Sequence, residues 1–264
     1  MTRKGARSVK DIPETIMKQI NEGRIETANL TEWLAVNQTI LADHVLRQLH
    51  RPEYVKTIIS RTDQLKKQTV NTRNETIGET LLALTIQNND QELFQLISTH
   101  TSDTVRCWAT YMIAKNSQYS LQEKLEKIKY FAADTHFGVR EISWLSLRPE
   151  IAEDIANSIA LLSEWTVHNN ANIRRFASEA TRPRGVWCAH IEQLKKTPEL
   201  GLSILEPLKS DSARYVQDSV GNWLNDAGKT RADFVKELCD RWTTESPTKE
   251  TAYIIRKALR SIDS

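Results

Sequence analysis

The sequence predicts an all-α fold built from stacked pairs of short helices. Three observations carry this prediction. The 264 residues hold only 8 Gly and 7 Pro, which rarely interrupt helical patterns. No segment sustains the alternation of a half-buried strand bounded by hairpin turns. An arginine motif also recurs at a constant interval. The segments DTVRCWA (Asp103 to Ala109), HFGVREIS (His136 to Ser143) and NANIRRFAS (Asn170 to Ser178) each place a Val-Arg or Ile-Arg pair at a helix start, and Arg106, Arg140 and Arg174 stand 34 residues apart in turn.

Apolar residues recurring three and four positions apart place helices roughly at Pro13 to Glu22, Thr31 to Leu49, Glu53 to Ile59, Glu75 to Ile86, Asp90 to Ser98, Asp103 to Lys115 and Leu121 to Ala133. The series continues at Phe137 to Leu147, Ile151 to His168, Asn172 to Thr181, Cys188 to Lys195, Leu200 to Leu208, Ala213 to Asp226, Arg231 to Trp242 and Glu250 to Ser261. A fourth motif copy, SARYVQDSVGNWLND (Ser212 to Asp226), follows an insertion that contains Arg182-Pro183-Arg184-Gly185-Val186-Trp187. Helix pairs with a VRxxA-like second helix are similar to HEAT repeats, whose stacking buries a continuous core and lines one concave surface with the second helices. The expected architecture is a HEAT-like helical-repeat solenoid with one concave groove. Residues 11–264 form a single repeat domain, and residues 1–10, with Arg3, Lys4, Arg7 and Lys10, form a flexible basic arm.

Composition excludes several classes. Lys and Arg number 36 against 34 Asp and Glu, a net charge of +2, so any basic surface must be local. Cys107, Cys188 and Cys239 are far apart and odd in number, which fits a reducing cytoplasm rather than a disulfide framework or zinc ribbon. No apolar run approaches a membrane span and MTRKGARSVK lacks a signal-peptide core, so no membrane partner is expected. GxGxxG, GxxxxGK[ST], HExxH and GxSxG are absent, and the six histidines show no metal-ligand spacing, so neither cofactor nor metal is expected.

The local basic surface lies at Ala171 to Trp187, where Arg174, Arg175, Arg182 and Arg184 face one acid, Glu179. On a helical wheel, Val139, Ile142, Ser143 and Ser146 point to the core, while Glu141, Trp144, Leu145 and Arg148 point outward. An outward tryptophan beside charged groups indicates a ligand or partner surface. In register with that face stand Cys107, Thr110, Tyr111 and Ala114 before it, then Arg175, Ser178, Glu179 and Arg182, then Asp218, Gly221, Asn222 and Asn225. Guanidinium groups match phosphate oxygens bidentately, so a concave row of arginines suits a nucleic-acid backbone. The alternative for Arg106, Arg140 and Arg174 is bonding within the repeat stack. The carboxylates admit two readings. They stabilise positive charge developing at a sugar as an N-glycosidic bond breaks, or they pair with neighbouring arginines.

At VREISWLSLRP (Val139 to Pro149), NIRRFASEATRPRGVW (Asn172 to Trp187) and YVQDSVGNWLNDAGK (Tyr215 to Lys229), the sequence resembles the bacterial HEAT-like-repeat DNA glycosylases of the AlkC/AlkD superfamily, with SEATRPRGVW similar to the AlkC branch. As architecture the resemblance covers Asp11 to Ile262. It implies a monofunctional glycosylase excising cationic alkylated bases, 3-methyladenine and 3-methylcytosine, from double-stranded DNA without a conventional base pocket, as a monomer in the cytoplasm and on the nucleoid. It further implies Glu141 as first choice for the catalytic carboxylate with Trp144 against the deoxyribose, then Glu179 and Asp218. Tyr111, Arg140, Arg148, Arg174, Arg175, Arg182, Arg184 and Trp187 are its implied DNA contacts. Some AlkC-like proteins carry an added immunoglobulin-like domain, which the sequence to Ser264 leaves no room for. The alternatives are a non-enzymatic HEAT-like module for branched or damaged DNA and a protein-interaction solenoid.

Overall fold

Local side chains specify where many of the helices begin. The computed structural model describes residues 3–262, which form sixteen α-helices and no strand among the described residues. Helix α1 (Glu14–Asn21) follows Pro13. Asn29 and Asn37 accept backbone N–H groups to cap α2 (Leu30–Ala35) and α3 (Gln38–Gln48). Helix α4 (Pro52–Asp63) opens on a proline, whose missing N–H costs nothing in a first turn. Thr69 and Thr72 bond reciprocally at the start of α5 (Val70–Asn88), which ends on left-handed Asn89. Next come α6 (Leu93–Ser98), α7 (Asp103–Ala114), α8 (Leu121–Ala132) and α9 (Phe137–Glu153). Asp154, Asn170 and Thr248 cap α10 (Ile155–Ser163), α11 (Ala171–Ala180) and α16 (Lys249–Leu259). Between the last two lie α12 (Glu192–Lys196), α13 (Leu202–Leu205), α14 (Arg214–Gly228) and α15 (Ala232–Glu245).

Several boundaries depart from the sequence reading. The single helix expected over Thr31 to Leu49 breaks at Val36 and Asn37, because Asn37 turns its side chain onto the Ile40 N–H as a cap. Helix α9 runs through Pro149 instead of stopping before it. Leu147 and Ile151, fully buried on either side, hold that turn in the core, and their burial outweighs the missing proline N–H. The basic segment read as a flexible arm is docked in part: Arg3 bonds both carboxylate oxygens of Glu32 at 2.6 Å, and the Asn29 side chain donates to the Ala6 carbonyl.

By its internal contacts the chain divides into two compact units. One takes the residues up to Ser120 with Asp134–Ser146, the other Leu121–Ala133 with Leu147 onward. Stacked repeats touch mainly their neighbours, so their contacts segregate along the chain. In the first unit α3 packs on α4, α4 on α5, and α5 and α6 on α7, around Leu41, Ile58, Ile77, Leu81 and Trp108. In the second, α14 packs on α11, α15 and α16, around Phe176, Val220, Trp223, Trp242 and Ile254.

The recurring arginine has one job at every copy. Arg106 donates to the carbonyls of His100 and Thr101, Arg140 to those of Asp134 and Thr135, and Arg174 to those of His168 and Asn169. In the fourth copy Gln217 stands in for arginine and donates to the Asp211 carbonyl at 2.7 Å. Two aspartates lock one repeat to the next. Asp134 accepts the His136 N–H and pairs bidentately with Arg106, and Asp211 does the same with the Ala213 N–H and Arg174. The stack-bonding alternative therefore describes these arginines, and the phosphate contact expected of Arg140 and Arg174 competes with bonds already made. Removing a buried, paired arginine leaves its carboxylate and carbonyls without donors. Arg106→Ala is expected to cost about 3 kcal/mol of unfolding free energy in urea denaturation, whereas Arg47→Ala, in an exposed pair with Asp43, changes it by less than about 0.5 kcal/mol.

Candidate functional site

Helix α9 carries the first candidate group, inside the first unit. Trp144 is only 3% exposed, contrary to the outward ring the helical wheel suggests. Its side chain swings back towards the preceding turn and its indole N–H donates to Glu141 Oε2 at 3.0 Å. The aromatic residue thus orients the carboxylate from below, and Glu141 itself is half-buried. A wheel gives an angle about the axis, not a depth, and neighbouring helices cover this flank. Tyr111, expected at the surface of α7, is buried, and burial pushes its hydroxyl well above the ordinary tyrosine value.

The second unit gathers the arginines of the SEATRPRGVW stretch into a buried polar network. Glu179, 4% exposed, accepts from Arg182 Nη1 at 2.8 Å and from the Ser219 hydroxyl at 2.7 Å, with Arg175 Nη2 3.5 Å away. Arg182 also holds Asp226 through Nε and Nη2 at 2.9 and 2.8 Å, and Arg184 Nε donates to the Asp226 carbonyl. Arg175 stacks over the Tyr215 ring, 4.1 Å from its centroid. Burial opposes ionisation of Glu179, but the charges of Arg175 and Arg182 and the bonds from Arg182 and Ser219 outweigh it and hold the carboxyl below its ordinary range. The pairing alternative accordingly accounts for Glu179.

Arg148 is buried and donates to three carbonyls, those of Ala180 (2.8 Å), Arg182 (2.6 Å) and Ala189 (3.1 Å from Nη2, 3.2 Å from Nε). Burial lowers its pKa from the arginine norm. These bonds pin the loop that follows α11. Gly185 fits beneath it because a Cβ there would meet Cys188 Sγ at 2.5 Å. At the loop's tip Trp187 is 60% exposed, with left-handed φ of 63°, next to exposed Val186. Of the expected DNA contacts in this stretch, Trp187 is the one the fold presents to solvent, while Arg148, Arg175 and Arg182 serve the protein's own interior.

Asp218, on α14, belongs to a third group. The Tyr253 hydroxyl and Lys257 Nζ both donate to Asp218 Oδ1, at 2.7 and 2.5 Å. Burial raises its pKa, but these two donors and nearby Arg214 bring it below the ordinary value. Around the Tyr253 ring stand Arg214 at 3.5 Å, Arg256 at 5.2 Å and Lys257 at 6.0 Å from the centroid. The sequence reading missed Arg214, Tyr253, Arg256, Lys257 and Arg260. The signal available was the spacing of the last four along α16 and its C-cap, which puts them on one helical flank.

Residues 150–262 match the family described as DNA alkylation repair enzyme. A protein of Bacillus subtilis (strain 168), uncharacterised protein YhaZ, is 37% identical over 145 residues, which is 55% of this chain and 39% of YhaZ. Among solved structures, the Pseudomonas fluorescens alkylpurine DNA glycosylase AlkC, bound to DNA containing an abasic site analog, superposes with a TM-score of 0.69 at 26% identity, over 94% of this chain and 64% of AlkC. AlkD2 from Streptococcus mutans, at 21% identity, TM-score 0.58, and coverage of 80% of this chain and 99% of AlkD2, shares the fold. The chain spans less than two thirds of YhaZ and of AlkC. In sequence over residues 150–262 and in fold across most of its length, the chain thus resembles the AlkC/AlkD group of helical-repeat alkylation repair proteins, as its motifs indicated.

Proposed function

We propose that the protein is a monofunctional DNA glycosylase that hydrolyses the N-glycosidic bond of cationic alkylated bases, such as 3-methyladenine and 3-methylcytosine, in double-stranded DNA. This would be the first step of base excision repair, on the nucleoid in the cytoplasm. The observation that carries the reading is the Glu141–Trp144 pair. A half-buried carboxylate has one oxygen oriented by a buried indole, on the second helix of a repeat in a chain similar to AlkC. A base that already bears positive charge leaves without a general acid, because the electrons of the breaking C–N bond neutralise it. The demand falls on the sugar, whose oxocarbenium character a nearby carboxylate stabilises. Trp144 suits this role because its indole N–H fixes one carboxylate oxygen in place. Glu141 then orients the water that attacks the sugar carbon and takes up its proton. Trp187, exposed on a pinned loop, contacts the DNA duplex.

The test is base release from methylated duplex DNA under single turnover. Glu141→Gln should lower the rate on the order of 10²- to 10³-fold while leaving DNA binding intact, and full activity in that variant would overturn the assigned role. A wild type that binds damaged DNA but releases no base would instead establish the non-enzymatic module.

Glu179 is expected to matter for folding instead. Its folded pKa lies below the ordinary 4.5, so its contribution is complete above that pH and is lost as pH falls through the lowered folded value. Urea midpoints between pH 7 and pH 3 should show Glu179→Gln destabilised at neutral pH, with a shallower decline than wild type on acidification. Parallel curves would show that the network contributes no such linkage.

A further inference from the structure

The second unit concentrates positive charge where neither the motif nor the arginine-rich stretch lies. Arg214 on α14 and Arg256 and Lys257 on α16 stand around the Tyr253 ring, Arg260 at the end of α16 bonds Asn222 beside them, and the carboxylate Asp218 accepts from Lys257. The whole chain has a net charge of only +2, so this is a strong local imbalance. Asn222, Tyr253, Arg256, Lys257 and Arg260 line an open cavity of about 380 Å³.

The arrangement is built rather than incidental. Gly221 lets the two helices approach, since a Cβ there would meet the Lys257 stem at 2.8 Å. That approach delivers Lys257 Nζ to Asp218, and the Tyr253 hydroxyl takes the same oxygen. The ring so fixed carries the Arg214 guanidinium on it, and Asn222 Oδ1 accepts from Arg260 Nη2 at 3.1 Å. Arg214 and Arg256 bond no carboxylate among the described residues, and Arg214, Arg256 and Arg260 are exposed. This sets them apart from Arg106, Arg174 and Arg182, whose guanidiniums are committed to protein acceptors.

We propose that Arg214, Arg256, Lys257 and Arg260, held around Tyr253 by Asp218 and Asn222, form a binding site for backbone phosphodiesters of DNA. Exposed guanidiniums oriented by stacking offer paired donors to phosphate oxygens. The phenol ring supplies an apolar floor beside them. The site is open and Asn222 in its lining is occupied by Arg260, so its cations serve to grip the strand backbone without regard to sequence or lesion. Asp218 is then the internal counter-ion that positions the cluster and not a group that reacts. This inference rests on the reading of the chain as a DNA enzyme.

The experiment compares wild type with Arg256→Ala/Arg260→Ala on undamaged and methylated duplexes, following equilibrium binding from 50 to 200 mM salt and base release at saturating enzyme. The double variant should lose about tenfold in affinity equally on both duplexes, and its slope of log affinity against log salt should fall by between about one and two. Its saturated rate of base release should match wild type. If the wild type binds DNA steeply in salt and releases base while the variant keeps the same slope and affinity, the phosphate site is wrong and the glycosylase reading stands. If affinity falls only on methylated DNA, the cluster reads the lesion and this assignment is overturned. Salt-independent or absent binding by the wild type would sink both.

Discussion

The turns that enter α7, α9 and α11 each leave two backbone carbonyls pointing away from the helical ladder, and much of the fold depends on how they are satisfied. A guanidinium is suited to this because its planar fork reaches both carbonyls and still offers donors on its other edge. Arg106 and Arg174 use that edge for Asp134 and Asp211, which in turn cap the entry to the next helix. One side chain therefore fixes a turn, a helix start and the spacing to the following repeat. Where Gln217 takes the place it donates to one carbonyl, and a neutral amide cannot form the bidentate ion pair that a guanidinium adds between repeats.

This requirement changes what an arginine count means in such a protein. Arg148 and Arg182 extend the same logic into the loop after α11, one holding three carbonyls and the other two carboxylates. Charge so committed is electrostatically muted at the surface, since each guanidinium already has acceptors at hydrogen-bond distance. Arg214 and Arg256 instead stack on the Tyr253 ring, which leaves their charge exposed to a polyanion.

The repeat was legible from sequence because its defining residue recurs at fixed spacing with an aliphatic neighbour, and Val105, Val139, Ile173 and Val216 are all buried as that pattern implies. The partners of the arginines were not legible, because Asp134 and Asp211 are set by loop lengths that differ between copies. Depth was also invisible. Trp144 and Arg148 lie on the outer arc of the wheel, yet both are 3% exposed, since stacking covers more of each helix than an amphipathic pattern reveals. The break at Asn37 and the continuation through Pro149 show the two ways local rules fail, one through an unread cap and one through burial that overrides a breaker.

The three carboxylates on successive second helices show why register alone does not assign chemistry. Glu179 lies between two guanidiniums and a hydroxyl, so any cation approaching it must compete with charges already balanced in a dry interior. Asp218 accepts an ammonium and a phenol on one oxygen, which fixes it as a counter-ion. Glu141 accepts the indole N–H of Trp144, a neutral donor that orients one of its oxygens. Orienting a carboxylate in advance lowers the reorganisation required when positive charge develops beside it. In the proposed reaction the buried tryptophan therefore supports the carboxylate and is not a platform for the sugar.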